Sequence, residues 1–400
     1  MRLAICIALC AIGGVGMWSP VVALPTVQAD FGVARAWAST PFTVGMLVFG
    51  LGGMWMGRWA DRAGVAKPAI LGGVLVGLGY IASAFAPNIV AFTFAQGVIV
   101  AFGASATFGP LVADISHWFE RRRGLAVGLC AAGNYVAGAV WPPIVQHFIA
   151  ADGWRATQAG VGAFCLVAIP ALALLLRRQS GAPHTHAPQI ALDQPPVPDG
   201  MSRRAVEALL LAAGVACCIA MAMPQAHIVA YCADLGYGPA RGAEMLALMM
   251  GLGIFSRVGS GFLADRIGGV ATLLVGSFLQ GLALLLYLMF DGLVALYVVS
   301  GLFGLFQGGI TPSYAIVVRE SFSPREAGER VGRVFMATLV GMALGGWASG
   351  AIFDLTGSYR LAFLNGLVWN LVNVALIAFL LTRRWRAGGQ AASSSGTVAA

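Results

Sequence analysis

One arginine, Arg257, lies inside a long apolar stretch of the sequence, residues 242–264. The next charged residue, Asp265, comes eight positions later, which corresponds to roughly 12 Å if the stretch is helical. A charged side chain at such depth in a membrane is costly and normally faces a cavity or a partner. Because a guanidinium matches a carboxylate through two parallel hydrogen bonds, this pattern makes Arg257 a candidate for binding a carboxylate.

The carboxylates of the other apolar stretches are poorly placed to neutralise Arg257. Asp114 lies near the end of its stretch, and the remainder lie at the ends of theirs: Asp30, Asp152, Asp234, Glu244, Asp291 and Asp354. We therefore expect the missing negative charge to belong to a ligand. Two alternatives stay open, since the long side chain could reach the membrane surface or bond to backbone carbonyls.

Other polar side chains within apolar stretches could complete a binding site. Gln225 and His227 follow Pro224, which frees backbone groups to face a cavity. His227 is also the only histidine placed to take up a proton. The remaining candidates are Asn134, Tyr135, Thr107 and Tyr314. Each of these residues could instead form a hydrogen bond between helices.

The composition indicates which elements position these residues. Hydrophobic side chains make up 59% of the 400 residues and charged ones only 10%, whereas about a quarter of a soluble domain is charged. A soluble protein is excluded because polar surface is lacking, and apolar stretches of roughly 20 residues predict membrane-spanning helices. The chain is thus predicted to be an all-α polytopic membrane protein. Its twelve predicted spans, numbered in chain order, are 3–28, 40–60, 68–87, 89–116, 124–149, 156–176, 205–232, 242–264, 269–290, 293–317, 331–353 and 360–382.

The placement of basic residues predicts the orientation of these spans. Nineteen of the 24 Lys and Arg residues fall on one side, four on the other, and Arg257 within a span. Basic loops stay in the cytoplasm, so both termini are expected there, in a multi-pass protein of the cell (inner) membrane. The net charge of +8 is then explained by topology and anionic lipid, and no nucleic-acid partner is expected. No metal-ligand spacing occurs, and we predict neither a metal nor a cofactor.

The sequence also contains an internal repeat. Residues 57–64 read GRWADRAG, residues 261–268 read GFLADRIG, and Pro110 and Phe119 recur as Pro312 and Phe322. Such duplication is typical of secondary transporters. It predicts two six-helix halves, 1–178 and 204–386, joined by a proline-rich cytoplasmic linker, 179–203, and followed by a disordered tail, 387–400.

The repeated pattern G-x-x-x-D-R-x-G resembles the signature of the major facilitator superfamily. Within that superfamily, residues 118–143, the DGWR at 152–155 and the lone arginine of the eighth span resemble the monocarboxylate transporter and oxalate–formate antiporter branch. The resemblance implies two pseudo-symmetric six-helix bundles, a substrate carboxylate bound by Arg257, and loops that latch the outward-open state. The gating residues would be Gly57, Asp61, Arg62, Gly261, Asp265 and Arg266, with Asp114 in the same network. The alternative is a pair of solvated turns.

The expected function is secondary active transport of a small organic anion by alternating access. The eleventh span lacks the second cation of oxalate-transporting members, which favours a monocarboxylate. The first span lacks a lysine, and Gly253 stands where animal monocarboxylate carriers have an aspartate, so their proton coupling cannot be carried over. Anion exchange and proton symport both stay open.

The alternatives are a carrier of another small solute, neutral or drug-like, and a non-transporting receptor of the same fold. No catalytic cluster occurs within the spans, so we do not expect an enzyme. We expect a monomer in the lipid bilayer whose partners are the carboxylate and either protons or a counter-anion.

Overall fold

The structure, a computed structural model, describes residues 1–119, 123–177 and 201–396. It contains ten helices long and apolar enough to cross a membrane within that part of the chain. One of them, Leu125–Leu174, contains two spans because the chain turns at Gly153, which has a φ of +82°. The less apolar helix Thr40–Ala63 completes the twelve predicted spans. The fold is therefore the predicted all-α, twelve-helix membrane protein.

The spans of the first half are bounded as follows. They are Arg2–Gly13 with Val15–Phe31, Thr40–Ala63, Ala66–Ala84, the fourth span in four segments (Ile89–Thr93, the π-helix Phe94–Val100, Ala101–Ser105 and Gly109–Trp118), and the fifth and sixth within Arg123–Leu174. A short helix, Arg35–Ala38, joins the first span to the second.

The second half repeats this arrangement. Its spans are Arg203–Asp234, Pro239–Ile267, Gly269–Met289, Leu293–Gln307 with Ile310–Ser321, Pro324–Thr356 and Arg360–Gly396. The fourth span is interrupted at residues 106–108 and the tenth at 308–309, and Pro110 and Pro312 follow these breaks. Proline lacks the amide hydrogen that a continuous helix needs, so the duplication seen in the sequence is also visible in the backbone.

The last helix continues beyond residue 386. It reaches Gly396, within the segment predicted to be a disordered tail, 387–400, and 397–400 lie outside the described residues. The long preceding helix supplies the nucleus that a short helix would lack. Most of the predicted linker, 179–200, lies outside the described residues; the seventh span begins at its end, Arg203.

Glycines let the eighth and tenth spans pack backbone against backbone. A Cβ on Gly304 would lie 2.0 Å from the carbonyl oxygen of Met249, and one on Gly308 would lie 2.3 Å from that of Gly253. Small residues permit such close approach between membrane helices. This contact fixes the part of the eighth span that precedes Arg257 by one turn.

The two halves meet on one side of the molecule. We call the side that carries Arg2, Arg62 and Arg266 the basic face, and the side that carries Arg35 and Asp234 the opposite face. The contacts between the halves run from the opposite face to the middle of the molecule, where Gly50 meets Met336 and Arg257 reaches Ala131. Every ion pair described on the basic face joins residues of one half: Arg2–Asp114, Arg330–Glu207, Arg330–Glu326, Arg333–Glu207, Arg333–Glu329 and Arg384–Glu320.

The glycine contact makes a testable prediction. Gly304→Ala should destabilise the protein by about 1–3 kcal/mol, because the added methyl group overpacks the eighth and tenth spans. Gly259→Ala is the matched control, since no described atom outside its own helix lies within 4 Å of the new Cβ. Thermal unfolding of the purified variants in detergent would show a lower Tm for Gly304→Ala alone. Equal Tm values would contradict the proposed packing constraint.

Candidate functional site

A cavity lies between the two halves, with an empty volume of about 650 Å³ that includes space open to solvent. Two kinds of side chain line it. The polar ones are Asn134, Tyr135, Gln225, Arg257, Thr311 and Thr338. The apolar ones are mainly methionines and aromatic residues: Met17, Met46, Met221, Met250, Met342, Trp18, Phe49, Phe108 and Phe335. The cavity is thus mostly apolar and contains one positive charge among the described residues that line it.

Arg257 has few partners in this cavity. Its Nη1 donates a hydrogen bond of 3.2 Å to the carbonyl oxygen of Ala131, and its guanidinium lies 4.5 Å from the centre of the Tyr135 ring. Its Nε is buried without a hydrogen-bond partner, and it forms no ion pair with any residue that the structure describes. Of the backbone carbonyls that could have satisfied the hydrogen-bonding groups of Arg257, only that of Ala131 accepts a described hydrogen bond from it.

Gly253 allows Tyr135 to lie beneath the guanidinium. A Cβ at this position would be 2.4 Å from Cε1 of the Tyr135 ring. A larger residue at Gly253 would therefore move the ring away from Arg257. The structure thus provides a packing reason for a glycine at this position.

Most of the carboxylates considered as partners for Arg257 are engaged elsewhere. Asp114 pairs with Arg2 at 2.8 Å, and Asp234 pairs with Arg35 at 2.9 Å. The other engaged carboxylates are Asp30, which pairs with Arg155, Glu244, which pairs with Arg241, and Asp354, which accepts two backbone hydrogen bonds. The structure thus leaves Arg257 available to an anionic ligand.

Four of the seven predicted binding residues come together in this cavity: Arg257, Asn134, Tyr135 and Gln225. Gln225 donates from Nε2 to Oε1 of Gln307 at 2.5 Å, and Asn134 contacts the sulfur of Met17 at 3.8 Å. The seventh span therefore contributes Gln225 to the cavity lining, and the fifth span contributes the adjacent pair Asn134 and Tyr135.

The other three candidates lie outside the cavity lining. Thr107 donates to the carbonyl oxygen of Ala104 at 2.8 Å and packs against Gly13. Tyr314 donates to Oδ1 of Asn373 at 2.9 Å and lines a smaller neighbouring cavity. His227 is fully buried nearer the opposite face, where it contacts Tyr359 and Gly346.

A buried arginine joins the two halves on the opposite face through hydrogen bonds and an ion pair. Arg35, in the short helix after the first span, is 6% exposed. Its Nη1 donates to Asp234 at 2.9 Å and to the hydroxyl of Tyr359 at 2.7 Å. The backbone N–H groups of Arg35 and Ala36 donate to the carboxylate of Asp354 at 2.7 and 2.8 Å. We call Arg35, Asp234, Asp354 and Tyr359 the Arg35 cluster; its arginine belongs to the first half and its other members to the second.

The hydrogen bonds that continue from the Arg35 cluster have fixed directions. The carbonyl oxygen of Gly346 only accepts, so Nε2 of His227 donates to it at 2.7 Å. Nδ1 of His227 therefore accepts from the hydroxyl of Tyr359 at 2.9 Å, and Tyr359 in turn accepts from Arg35. Both ring nitrogens of a neutral His227 are thus used.

The electrostatics of the Arg35 cluster agree with these assignments. Burial lowers the pKa of Arg35, but its hydrogen bonds to Asp234 and Tyr359 outweigh this effect and raise the pKa above its usual value. Burial raises the pKa of Tyr359, although the nearby Arg35 opposes the rise. The arginine therefore stays charged and the phenol stays protonated at neutral pH.

The predicted gating residues lie apart on the basic face. Asp61, Arg62, Asp265 and Arg266 form no ion pair within the described part of the chain, and a Cβ added to Gly57 or Gly261 would meet no described atom outside its own helix within 4 Å. Asp114 pairs with Arg2 instead of a loop residue, and both line a wide cavity together with Asp61 and Arg62.

Sequence reasoning missed the Arg35 cluster. Arg35, Asp234 and Asp354 look like ordinary charges at helix ends, and Tyr359 looks like an ordinary aromatic residue between two predicted spans. One feature of the sequence could have pointed to the cluster. Basic residues are scarce on the side of the membrane that carries Arg35, where it is one of only four. Their convergence depends on how the first span and the seventh, eleventh and twelfth spans pack, which sequence spacing does not reveal.

Comparisons with known proteins agree with this architecture. The family model described as Major Facilitator Superfamily matches residues 4–302 and 253–397. The chain is 28% identical over 307 residues to Monocarboxylate transporter 13 of Bos taurus, covering 74% of this chain and 69% of that protein. It is also 28% identical over 332 residues to Monocarboxylate transporter 11 of Homo sapiens, covering 77% and 66%.

Two solved structures are similar in fold. One is a bacterial homologue of the human lysosomal transporter Spinster in an inward-facing and occupied conformation, with a TM-score of 0.76, 14% identity and coverage of 96% of this chain and 97% of that one. The other is a point mutant of the nucleoside transporter NupG, with a TM-score of 0.74, 13% identity and coverage of 94% and 99%. Identities this low show the fold alone.

The Arg35 cluster makes a second prediction. Arg35→Gln should shift the protein toward conformations in which the opposite face is open, because breaking a buried ion pair costs about 3–5 kcal/mol. The distance between spin labels at the exposed positions Trp37 and Leu355 would be measured after replacement of the seven native cysteines. We expect a new population at longer distances.

The matched control is Arg241→Gln on the same face, since the ion pair of Arg241 with Glu244 stays within one half. An unchanged distance distribution in Arg35→Gln, or an equal shift in the control, would contradict the role of the Arg35 cluster.

Proposed function

The chain belongs to the Major Facilitator Superfamily of membrane transporters, and from that premise we propose that it carries a monocarboxylate by alternating access, with Arg257 binding the carboxylate. The observation that supports this proposal most directly is the buried, unpartnered Nε of Arg257 in a cavity between the two halves. A carboxylate would supply the hydrogen bonds and the negative charge that the described residues do not. Two monocarboxylate transporters among the similar proteins point to the same substrate class.

The arrangement of charges favours one carboxylate over two. Arg257 is the only cation among the described residues that line the cavity. Arg333, the basic residue of the eleventh span, lies on the basic face and pairs with Glu207 and Glu329. A dicarboxylate would therefore bring one uncompensated negative charge into an apolar cavity, which is unfavourable. A cationic solute is disfavoured for the same reason, since the cavity lining that the structure describes contains no Asp or Glu.

The Arg35 cluster and the basic face would serve as the two gates. In this structure the cluster joins the halves on the opposite face, while Asp61, Arg62, Asp265 and Arg266 lie apart on the basic face. We propose that these four residues come together when the opposite face opens. The excess of basic residues supports a cytoplasmic location for the basic face and for both termini.

Of the two coupling mechanisms, anion exchange and proton symport, the charges of the site favour anion exchange. An empty carrier must reorient while Arg257 lacks a counter-charge, which is costly in a medium of low dielectric constant. A bound monoanion removes that cost in both directions. His227, the candidate proton acceptor, already uses Nδ1 to accept from Tyr359, so protonating it requires this hydrogen bond to reverse and the Tyr359 hydroxyl to lose its acceptor.

The role of Arg257 predicts a loss of binding on substitution. Charge-assisted hydrogen bonds contribute about 1.5–3 kcal/mol, so Arg257→Gln should weaken carboxylate binding by about 10- to 100-fold. A thermal-shift screen of monocarboxylates on the purified protein and on Arg257→Gln measures this effect. Arg360→Gln is the control, because this exposed arginine lies outside the cavity. Equal stabilisation of the wild type and Arg257→Gln would exclude the proposed role.

Exchange predicts that internal anion accelerates uptake. Proteoliposomes that contain unlabelled lactate should take up labelled lactate several-fold faster than empty ones, and a pH gradient should have little effect. Symport would instead require a strong dependence on the pH gradient. Uptake that is equal with and without internal lactate and insensitive to pH would rule out both mechanisms.

A further inference from the structure

The wall of the central cavity is unusually rich in methionine. Five of the 14 methionines in the chain line it, together with three phenylalanines and Trp18. Methionine is flexible and polarizable and adapts its shape to varied apolar ligands. This wall is therefore suited to an apolar surface of no single fixed shape.

Some polar groups of the cavity are already engaged by the protein itself. Gln225 donates to Gln307, and the hydroxyl of Thr338 donates to the carbonyl oxygen of Phe335. Asn134 contacts the sulfur of Met17. The indole Nε1 of Trp18 is buried without a partner among the described residues, so the apolar wall offers a ligand one hydrogen-bond donor in addition to Arg257.

Part of the apolar wall lies away from the charge. Met250 precedes Arg257 by two turns on the eighth span, which corresponds to roughly 10 Å along the helix axis. Met221 of the seventh span and Met342 of the eleventh line the same cavity. An acid of three carbon atoms bound to Arg257 would not extend over such a distance.

From these features we propose that the substrate is an amphipathic monocarboxylate. Its carboxylate binds Arg257, and its apolar body, of medium chain length, lies against the methionine and aromatic wall. This inference rests on the proposed function and narrows the substrate class. Each buried CH₂ group contributes about 0.8 kcal/mol, close to fourfold in affinity, so affinity should rise with chain length.

The test compares propanoate, lactate, hexanoate and octanoate by dose-dependent thermal shift of the purified protein. We expect octanoate to bind at least about tenfold more tightly than propanoate and lactate. Met342→Gln keeps the length of the side chain but makes it polar, so it should reduce the advantage of octanoate about three- to tenfold and leave lactate binding unchanged. Met289→Gln is the matched control, because Met289 is 65% exposed and lies outside the cavity.

The outcomes separate the two proposals. Equal or tighter binding of lactate relative to octanoate, or an equal effect of Met342→Gln and Met289→Gln, would overturn the amphipathic substrate and leave Arg257 in its role. No binding of any acid, or equal binding by Arg257→Gln, would overturn the proposed function itself. If Met342→Gln does not fold, Met17→Gln provides the same test at a half-buried position of the first span.

Discussion

A guanidinium inside a membrane protein must be neutralised, and this structure treats its two inter-half arginines in opposite ways. Arg35 is surrounded by Asp234, Asp354 and Tyr359, so the protein supplies its charge partner and several hydrogen bonds. Arg257 has one backbone carbonyl and the face of an aromatic ring. The arginine with an ion pair holds the halves together, and the one without an ion pair among the described residues is left for a ligand; the Nε of each is buried without a partner. Both proposed activities of the molecule, gating and binding, follow from this difference.

The Arg257 site depends on close packing around it. The eighth span approaches the tenth through Gly304 and Gly308, and Gly253 leaves room for the Tyr135 ring. Larger residues at these positions would displace the helix or the ring. The glycines thus hold Arg257 at the boundary between the halves, where a ligand bound to it would touch both.

Much of this architecture could be predicted from the distribution of hydrophobic and charged residues along the sequence. Apolar length located the spans, and the repeated GRWADRAG and GFLADRIG segments revealed the two halves, because both signals are local in sequence. Arg257 was recognisable for the same reason: a charge in an apolar stretch is conspicuous without any knowledge of packing. The Arg35 cluster was not recognisable, since each of its charges is ordinary at a helix end. Likewise, the methionine and aromatic wall of the cavity consists of residues from several spans, so it is not visible in any one segment. His227 bonds to Tyr359 rather than facing the cavity, because the rotation of a helix about its axis decides which way a polar residue faces.

The hydrogen-bond chain beneath Arg35 has a consequence for the conformational cycle. Tyr359, His227 and Gly346 all belong to the second half, so their mutual hydrogen bonds persist when Arg35 withdraws. In the proposed opening, the departing arginine leaves behind a phenol that is already oriented by the imidazole. Re-closure then requires no reordering of Tyr359 and His227, and the entropy of ordering these two side chains is not lost again in each cycle.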